Sequence, residues 1–348
     1  MAAVPFRVQA GMRIRGVTGV TAVRKIAGLA LSAALLLPAA AAAEDVREAE
    51  HWTEREFAVM AEIGRAPSYA DYRDARRDWP AAGEAAVIRN GEPLFIPEGG
   101  SAELEVRVPE RGRYRLQMEY LPSERSSAAV ELTLRVDGEF PFREAAGIPL
   151  YRKWIDDPSS RKTDGRGNDV RPPQIEAREW LRADLSSHTG EVFEFALDEG
   201  VHTLTVGSPF QELHIREIAL TPIPDIPSYE EYLRRHAGKA DAAGGVRIQG
   251  ERAAYKNDPV IVPLEDRSTP ATEPNRAPKI SLNKIGGDRW SRPGQEIVWT
   301  FRAPESGFYE IRIKARQHYA KGFYSIRRLK LDGEVPFREA EQIAFPYG

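Results

Sequence analysis

Cysteine is absent from the whole 348-residue chain. That excludes disulfides, thiolate zinc centres, iron–sulfur clusters and a catalytic thiol. It also removes any attachment point for a lipid at an export junction. Long hydrophobic runs are lacking too. The run Ile26–Leu37 is too short to span a bilayer comfortably, and no later segment approaches the roughly 18 residues a span needs. Charge of one sign is not in excess. The 49 basic residues against 52 acidic ones give a net charge of −3, which argues against a nucleic-acid binder. Catalytic signatures are missing as well: there is no G-x-S-x-G elbow, H-E-x-x-H, Walker loop or strand-following G-x-G-x-x-G. The six histidines, at 51, 188, 202, 214, 236 and 318, are scattered. His202 and His214 fall in predicted strands and read as edge imidazoles, not as a ligand pair.

What is present starts with an uneven charge. Residues 1–43 carry Arg7, Arg13, Arg15, Arg24 and Lys25 and no acid. The basic stretch ends at Lys25, the apolar run follows, and Pro38 precedes the alanines 39–43. This reads as a secretory signal cleaved after Ala43, with an uncleaved anchor as the alternative and Met12 as a second candidate start. The mature chain is expected to be secreted and cell-surface associated, without a membrane span. An exported chain without disulfides must be held by its core alone.

A repeat organises the rest. Arg107–Ile148 aligns without a gap to Arg302–Ile343 at a constant offset of 195. Pro109, Gly112 and Tyr114 recur as Pro304, Gly307 and Tyr309. The block Asp137-Gly138-Glu139-x-Pro141-Phe142-Arg143-Glu144-Ala145 recurs as Asp332-Gly333-Glu334-x-Pro336-Phe337-Arg338-Glu339-Ala340. A second echo pairs Ser68-Tyr69-x-x-Tyr72 with Ser228-Tyr229-x-x-Tyr232 at an offset of 160. The second copy therefore holds about 35 extra residues between echo and block, a spacing of domain size and not of solenoid units. The expected organisation is a signal peptide over 1–43, a helical segment over 44–67, a first module over 68–223 and a second over 228–348. The first copy runs on for about seventy strand-like residues after Ile148, whereas the second has five after Ile343. The sequence thus reads as the front of a longer polypeptide, the second module being C-terminally incomplete.

The local pattern is β. Ala102, Leu104, Val106 and Val108 alternate with charged residues, as do Tyr114, Leu116, Met118 and Tyr120, and Val130, Leu132, Leu134 and Val136. A period of two marks strands with one wet face. Phe193–Leu197, Val201–Val206 and Leu213–Leu220 add three more. Short strands punctuated by turns predict an all-β fold of tandem antiparallel, jelly-roll-like sandwiches joined by short helical connectors. Helix is expected over Glu44–Gly64 and at the two Ser-Tyr echoes, where Ser228 and Glu231 form a capping box. In the shared block, Asp-Gly is expected to turn the chain, Pro-Phe to pin a loop to the sandwich edge, and Arg143 and Glu144 to pair.

The loop Tyr151–Trp180 is the best candidate site. It offers Tyr151, Trp154, Asp156, Asn168 and Asp169 as carbohydrate ligands. Sugar rings stack on aromatic faces, and their hydroxyls pair with amides and carboxylates. Trp180 reads as core. The same oxygen-rich loop also suits calcium, although EF-hand spacing is absent.

The second copy then shows an ordered series: Ile248-Gln249-Gly250-Glu251, Tyr255-Lys256-Asn257-Asp258-Pro259, Ser268–Pro274, Leu282-Asn283-Lys284-Ile285-Gly286-Gly287, Trp290, Pro293-Gly294-Gln295, Gly307-x-Tyr309 and the shared block. Over most of residues 44–348 this resembles the N-terminal region of long extracellular solute-binding proteins of sugar ABC importers in Paenibacillus-like bacteria. More loosely, the modules are similar to family 6 and family 35 carbohydrate-binding modules. The resemblance implies jelly-roll sandwiches that bind a glycan or oligosaccharide at edge loops. It also implies a structural calcium and a permease partner reached through a C-terminal domain outside these residues. The first copy lacks the paired glutamates expected on the opening strand, and the second has only Glu251. The function expected is exported, non-catalytic carbohydrate binding. The alternatives are the accessory modules of a polysaccharide hydrolase or lyase, and a spacer without ligand.

Overall fold

The computed structural model describes residues 6–7, 54–124, 126–317 and 321–347. The expected signal over 1–43 lies outside them apart from Phe6–Arg7. Three helices are described: α1 (Glu54–Arg65), α2 (Tyr69–Asp74) and α3 (Tyr229–Arg235). Of the helix expected over 44–64, the first ten residues lie outside the described part. The strands are β1 (Phe6–Arg7), β2 (Ala86–Ile96), β3 (Gly100–Val108), β4 (Gly112–Pro122), β5 (Val130–Val136), β6 (Ile148–Leu150), β7 (Trp154–Asp156), β8 (Gln174–Glu176), β9 (Leu181–Asp184) and β10 (Glu194–Leu197). They continue as β11 (Gly200–Ser208), β12 (Leu213–Pro222), β13 (Tyr255–Lys256), β14 (Pro263–Glu265), β15 (Leu282–Ile285), β16 (Ile297–Val298), β17 (Tyr309–Glu310), β18 (Tyr324–Arg327) and β19 (Ile343–Pro346). The fold is all-β with antiparallel sheets, as the period-two pattern predicts, apart from the short parallel pair β1–β17.

The chain divides into two compact units, and the division does not follow the repeat. Lys153–Ala177 groups with Pro224–Gly348, while Arg178–Ile223 groups with the part before Lys153. The module expected over 68–223 is thus interrupted.

In the first unit, β10-β4-β12-β2 form one sheet with β9 also on β4, and β3-β11-β5-β6 form the other. Alternation decides what lies between them. Tyr114, Leu116, Met118 and Tyr120 of β4 and Val130, Leu132 and Leu134 of β5 are all buried in one core. The neighbours of those residues along each strand are left on the outer faces.

The two shared motifs turn out to be one device, used twice. Asp137 and Gly138 both have positive φ (52° and 85°), as do Asp332 and Gly333 (52° and 91°). Each pair makes the tight reversal that only such residues accept readily. The chain then brings Glu144 over the start of α2, where its carboxylate accepts the Tyr69 N–H at 2.8 Å. Glu339 accepts the Tyr229 N–H at 2.8 Å. Ser68 and Ser228 cap the same helices through the N–H groups of Asp71 and Glu231. Phe142 packs on Tyr69 and Tyr72, and Phe337 on Tyr229 and Tyr232. The expected Arg143–Glu144 pair is not what forms. The unsatisfied N–H groups of a helix start attract the carboxylate instead.

The Pro-Glu-x-Gly-x-Tyr stretch repeats a second grip. Glu110 accepts the N–H groups of Gly83 and Glu84, and Glu305 those of Ala243 and Gly244. A Cβ on Gly112 would lie 3.0 Å from the Ala82 backbone, and one on Gly307 3.0 Å from the backbone at Ala240 and Ala242. Glycine is kept where the passing chain leaves no room.

In the second unit, β16-β13-β7-β8 form one sheet, with smaller pairs β14–β15, β18–β19 and β1–β17. Its apolar cluster is small: Tyr232, Phe337 and Ala340, flanked by Tyr229, Leu233, Phe308, Leu329 and Val335.

Candidate functional site

The candidate loop is used to build the second unit. In β7, Trp154 stands opposite Lys256 of β13 and Glu176 of β8. Trp154 is buried, and its indole N–H has no hydrogen-bond partner among the described residues. Asp156 accepts hydrogen bonds from Lys256 Nζ at 2.6 Å and Gln174 Nε2 at 2.8 Å. Lys256 is 0% exposed, so this pair is an internal pin. Asn168 donates to Asp164 at 2.9 Å, and its Oδ1 accepts the Ile280 N–H at 3.0 Å. Asp169 accepts the Leu282 N–H at 2.9 Å and pairs with Arg276. Its own N–H donates to the Ile280 carbonyl. Tyr151 belongs to the first unit, where its carbonyl accepts the Tyr120 hydroxyl at 2.6 Å.

Within the second unit, Trp154, Asp156, Asn168 and Asp169 hold the insert to 256–282. Asp164 is held below the usual carboxylate range by hydrogen bonds from Asn168 and Arg166, which locks the insert's tip as a turn. Among the described residues, no three of His, Asp and Glu come together as a metal-ligating group. Glu251, expected on an opening strand, lies instead in a turn before β13 and is buried, which pushes its carboxyl up. Its Oε2 has no hydrogen-bond partner among the described residues.

A different arrangement stands on the outer face of the first unit's five-stranded sheet. Register places Glu217 of β12 and Arg182 of β9 on either side of Glu119 in β4. The next row holds Ala219, Gln117 and Asp184. Two carboxylates directly opposite one another repel, and two arginines offset that here. Arg182 reaches Glu217 at 3.1 Å and Glu119 at 3.8 Å. Arg216 reaches Glu119 at 3.3 Å. Gln117 links Arg182 at 3.3 Å to Asp184 at 3.2 Å, and Arg115 reaches Asp184 at 3.4 Å.

A β-bulge makes the patch. The register of β12 shifts between Ile215 and Glu217, so Arg216 and Glu217 follow one another on the outer side while Ile215 and Ile218 both stay in the core. Arg216 then lays its guanidinium over the half-buried Trp180, 4.0 Å from the ring centre. Trp180 is thus half-buried beneath Arg216 and not part of the core cluster. The side chains of Arg182 and Arg216 remain 49% and 46% exposed, which leaves donors free to meet a ligand. Nearby on the same sheet, Phe95 and His214 lie ring to ring at 5.0 Å. Sequence alone offered no route to this patch, because the bulge that sets Glu217 beside Arg216 on the outer side has no residue signature.

No family profile matches the chain, and no curated protein does. Solved structures match in part. The isomalto-dextranase of Arthrobacter globiformis complexed with panose is 15% identical over 40% of this chain and 22% of its own, at a TM-score of 0.21. The Podospora anserina GH26-CBM35 beta-(1,4)-mannanase is 9% identical over 51% of this chain and 30% of its own, at 0.23. A ruminal GH26 endo-beta-1,4-mannanase is 12% identical over 49% and 26%, at 0.24. The chain spans less than a third of the length of each of these proteins, and scores this low say nothing of shared function.

Among the described residues, no helix is long and apolar enough to cross a membrane.

Proposed function

We propose that this chain is a non-catalytic carbohydrate-binding region, exported and acting at the cell surface. In this reading it is the front part of a solute-binding protein of a sugar importer, engaging a permease through sequence outside these residues. The observation that supports binding is the Trp180–Arg216 stack set beside the Glu119–Glu217 pair on the outer side of the sheet, where the Arg182 and Arg216 side chains are exposed and Glu217 is buried. An indole offers an apolar platform for a sugar ring. Forked guanidinium and carboxylate groups with mutually balanced charge suit the paired hydroxyls of an uncharged glycan. Accessory modules of a polysaccharide hydrolase or lyase would use the same face.

The test is retention of the full chain in gels containing soluble polysaccharides, followed by calorimetry on any that retard it. Trp180→Ala is expected to weaken binding about tenfold, the scale of one aromatic contact, with the melting midpoint close to wild type. Retention unchanged by Trp180→Ala and Arg216→Ala together would remove this face from consideration. A chain retarded by no glycan would favour the spacer reading, which the purely architectural use of the two shared motifs already supports.

A further inference from the structure

Register carries the Trp180–Arg216 stack onward across the sheet of the first unit. His214 of β12 stands opposite Leu121 of β4 on one side and Phe95 of β2 on the other. Trp180 directly precedes Leu181, whose partner in β4 is Tyr120, so Trp180 meets the sheet level with Leu121. The flanking residues Tyr120, Leu213, Ile215 and Ile96 all lie in the core. Alternation therefore places Leu121, His214 and Phe95 on the outer side. Trp180, Leu121, His214 and Phe95 form one row that crosses four strands. From β9 to β2 it covers three interstrand spacings, about 14 Å in all.

The row has an apolar end and a donor end. Phe95 is 49% exposed and lies 5.0 Å from the His214 ring, centre to centre. At the other end the Arg216 guanidinium rests on Trp180 and donates to Glu119 at 3.3 Å, with Arg182 beside it. The ion pairs of this face are balanced, with Arg115, Arg182 and Arg216 set against Asp184, Glu119 and Glu217. A face with matched charges favours an uncharged ligand over an anion.

We propose that this row is a binding track for the interior of one kind of ligand, an extended uncharged glycan built of equatorially linked pyranoses and lying across the strands. This rests on the carbohydrate-binding reading above and adds the ligand's linkage, its length and the direction in which it runs. A pyranose is about as long as one interstrand spacing, so about three units cover the row. Equatorial bonds at both ends of each ring keep such a chain straight enough to follow it, whereas an axial bond turns the chain away. One ring stacks its CH face on Phe95 and His214. Another lies against the Arg216–Trp180 stack, where its hydroxyls accept from the Arg216 and Arg182 forks.

The test is calorimetry of the full chain with cellobiose, cellopentaose, mannobiose, mannopentaose and maltopentaose. Cellopentaose or mannopentaose is expected to bind about tenfold or more tighter than its own disaccharide and than maltopentaose, whose linkages are axial at one end. Phe95→Ala is expected to weaken the better pentasaccharide about fivefold. Phe95→Leu, which keeps an apolar side chain on the strand but loses the flat ring, should act in the same direction with the melting midpoint unchanged. Equal affinity for both lengths, equal affinity for maltopentaose, or no effect of either Phe95 variant would overturn the track. Binding that still depended on Trp180 and Arg216 would then leave the broader carbohydrate reading in place. Failure of both equatorially linked pentasaccharides to bind would also overturn the track, while gel retention on other polysaccharides decides the broader reading separately.

Discussion

Removing Asp156 should unfold the second unit far more readily than removing the lysine it faces. Lys256 is 0% exposed and its ammonium is held by the Asp156 carboxylate at 2.6 Å, while Asp156 is 28% exposed. Asp156→Ala leaves a fully buried cation without a carboxylate. Breaking a buried pair in this way costs about 3–5 kcal/mol. Lys256→Met fills the same space with an apolar chain and leaves behind a carboxylate that reaches water and keeps Gln174 as a donor. Its cost is expected at about 1 kcal/mol. The double variant Asp156→Ala/Lys256→Met removes both charges and should recover about 2 kcal/mol or more relative to Asp156→Ala alone. The assay is urea unfolding followed by tryptophan fluorescence, since Trp154 lies opposite Lys256 in the ladder. Equal losses for the two single variants, or simple additivity in the double, would refute the reasoning. Either result would mean that Lys153–Ala177 is not folded onto β13 through this pin.

Two further outcomes are expected. Glu144→Ala should cost about 1–2 kcal/mol through the lost hydrogen bond at the start of α2. Glu339→Ala should cost less, because Glu144 is half-buried and Glu339 exposed; chemical denaturation of the two single variants checks the order. The His202–Asp137 contact should give the first unit a pH dependence. Burial alone would lower the His202 pKa, but hydrogen bonds to Asp137 and the Asp198 carbonyl outweigh it and raise the pKa above 6.5. The Asp137 carboxyl is partly buried, yet the Thr203 N–H and His202 hold it below 3.8. A raised histidine contributes stability that is complete below its unfolded value and lost as pH climbs through its folded one. A depressed aspartate contributes above its unfolded value and loses that as pH falls through its folded one. Melting midpoints should therefore fall from about pH 6 to about pH 8. His202→Gln should flatten that slope, and an unchanged slope in the variant would count against the pairing.

The parts of this fold that could be read from sequence are those fixed by neighbouring residues. Period-two alternation placed β3, β4, β5, β10, β11 and β12 because each side chain's face depends only on its position along the strand. The Asp-Gly reversals were legible for the same local reason, as were the serine caps at Ser68 and Ser228. Partnerships across space were not. Glu144 sits beside Arg143 in sequence, yet it answers the orphan N–H of Tyr69, 75 positions away. The three-residue strands Trp154–Asp156 and Gln174–Glu176 are too short to show a period. Their residues looked like an exposed, sugar-ready loop because aromatic and acidic side chains serve a buried polar pin as well as a ligand. Trp180 was hidden by the reverse ambiguity. An apolar residue in a strand-like stretch suggests core, and only the bulge at Arg216 reveals the stack above it.

The allegiance of Lys153–Ala177 has a consequence for synthesis. Asp156 leaves the ribosome 100 positions before the lysine that neutralises it. At about 5–20 residues per second, the β7–β8 hairpin waits roughly 5–20 s with Trp154 unshielded and one sheet edge bare. Residues 178–223 of the first unit are made after this segment and before β13, so the first unit can complete its sheets while the segment still lacks its partner strand. A nascent chain arrested in that interval should be the form most prone to aggregation and most attractive to a holding chaperone. For the same reason, a gene cut at the apparent seam between the two repeats would not yield two transferable domains. One product would carry an orphan hairpin, and the other would lack half of its central sheet.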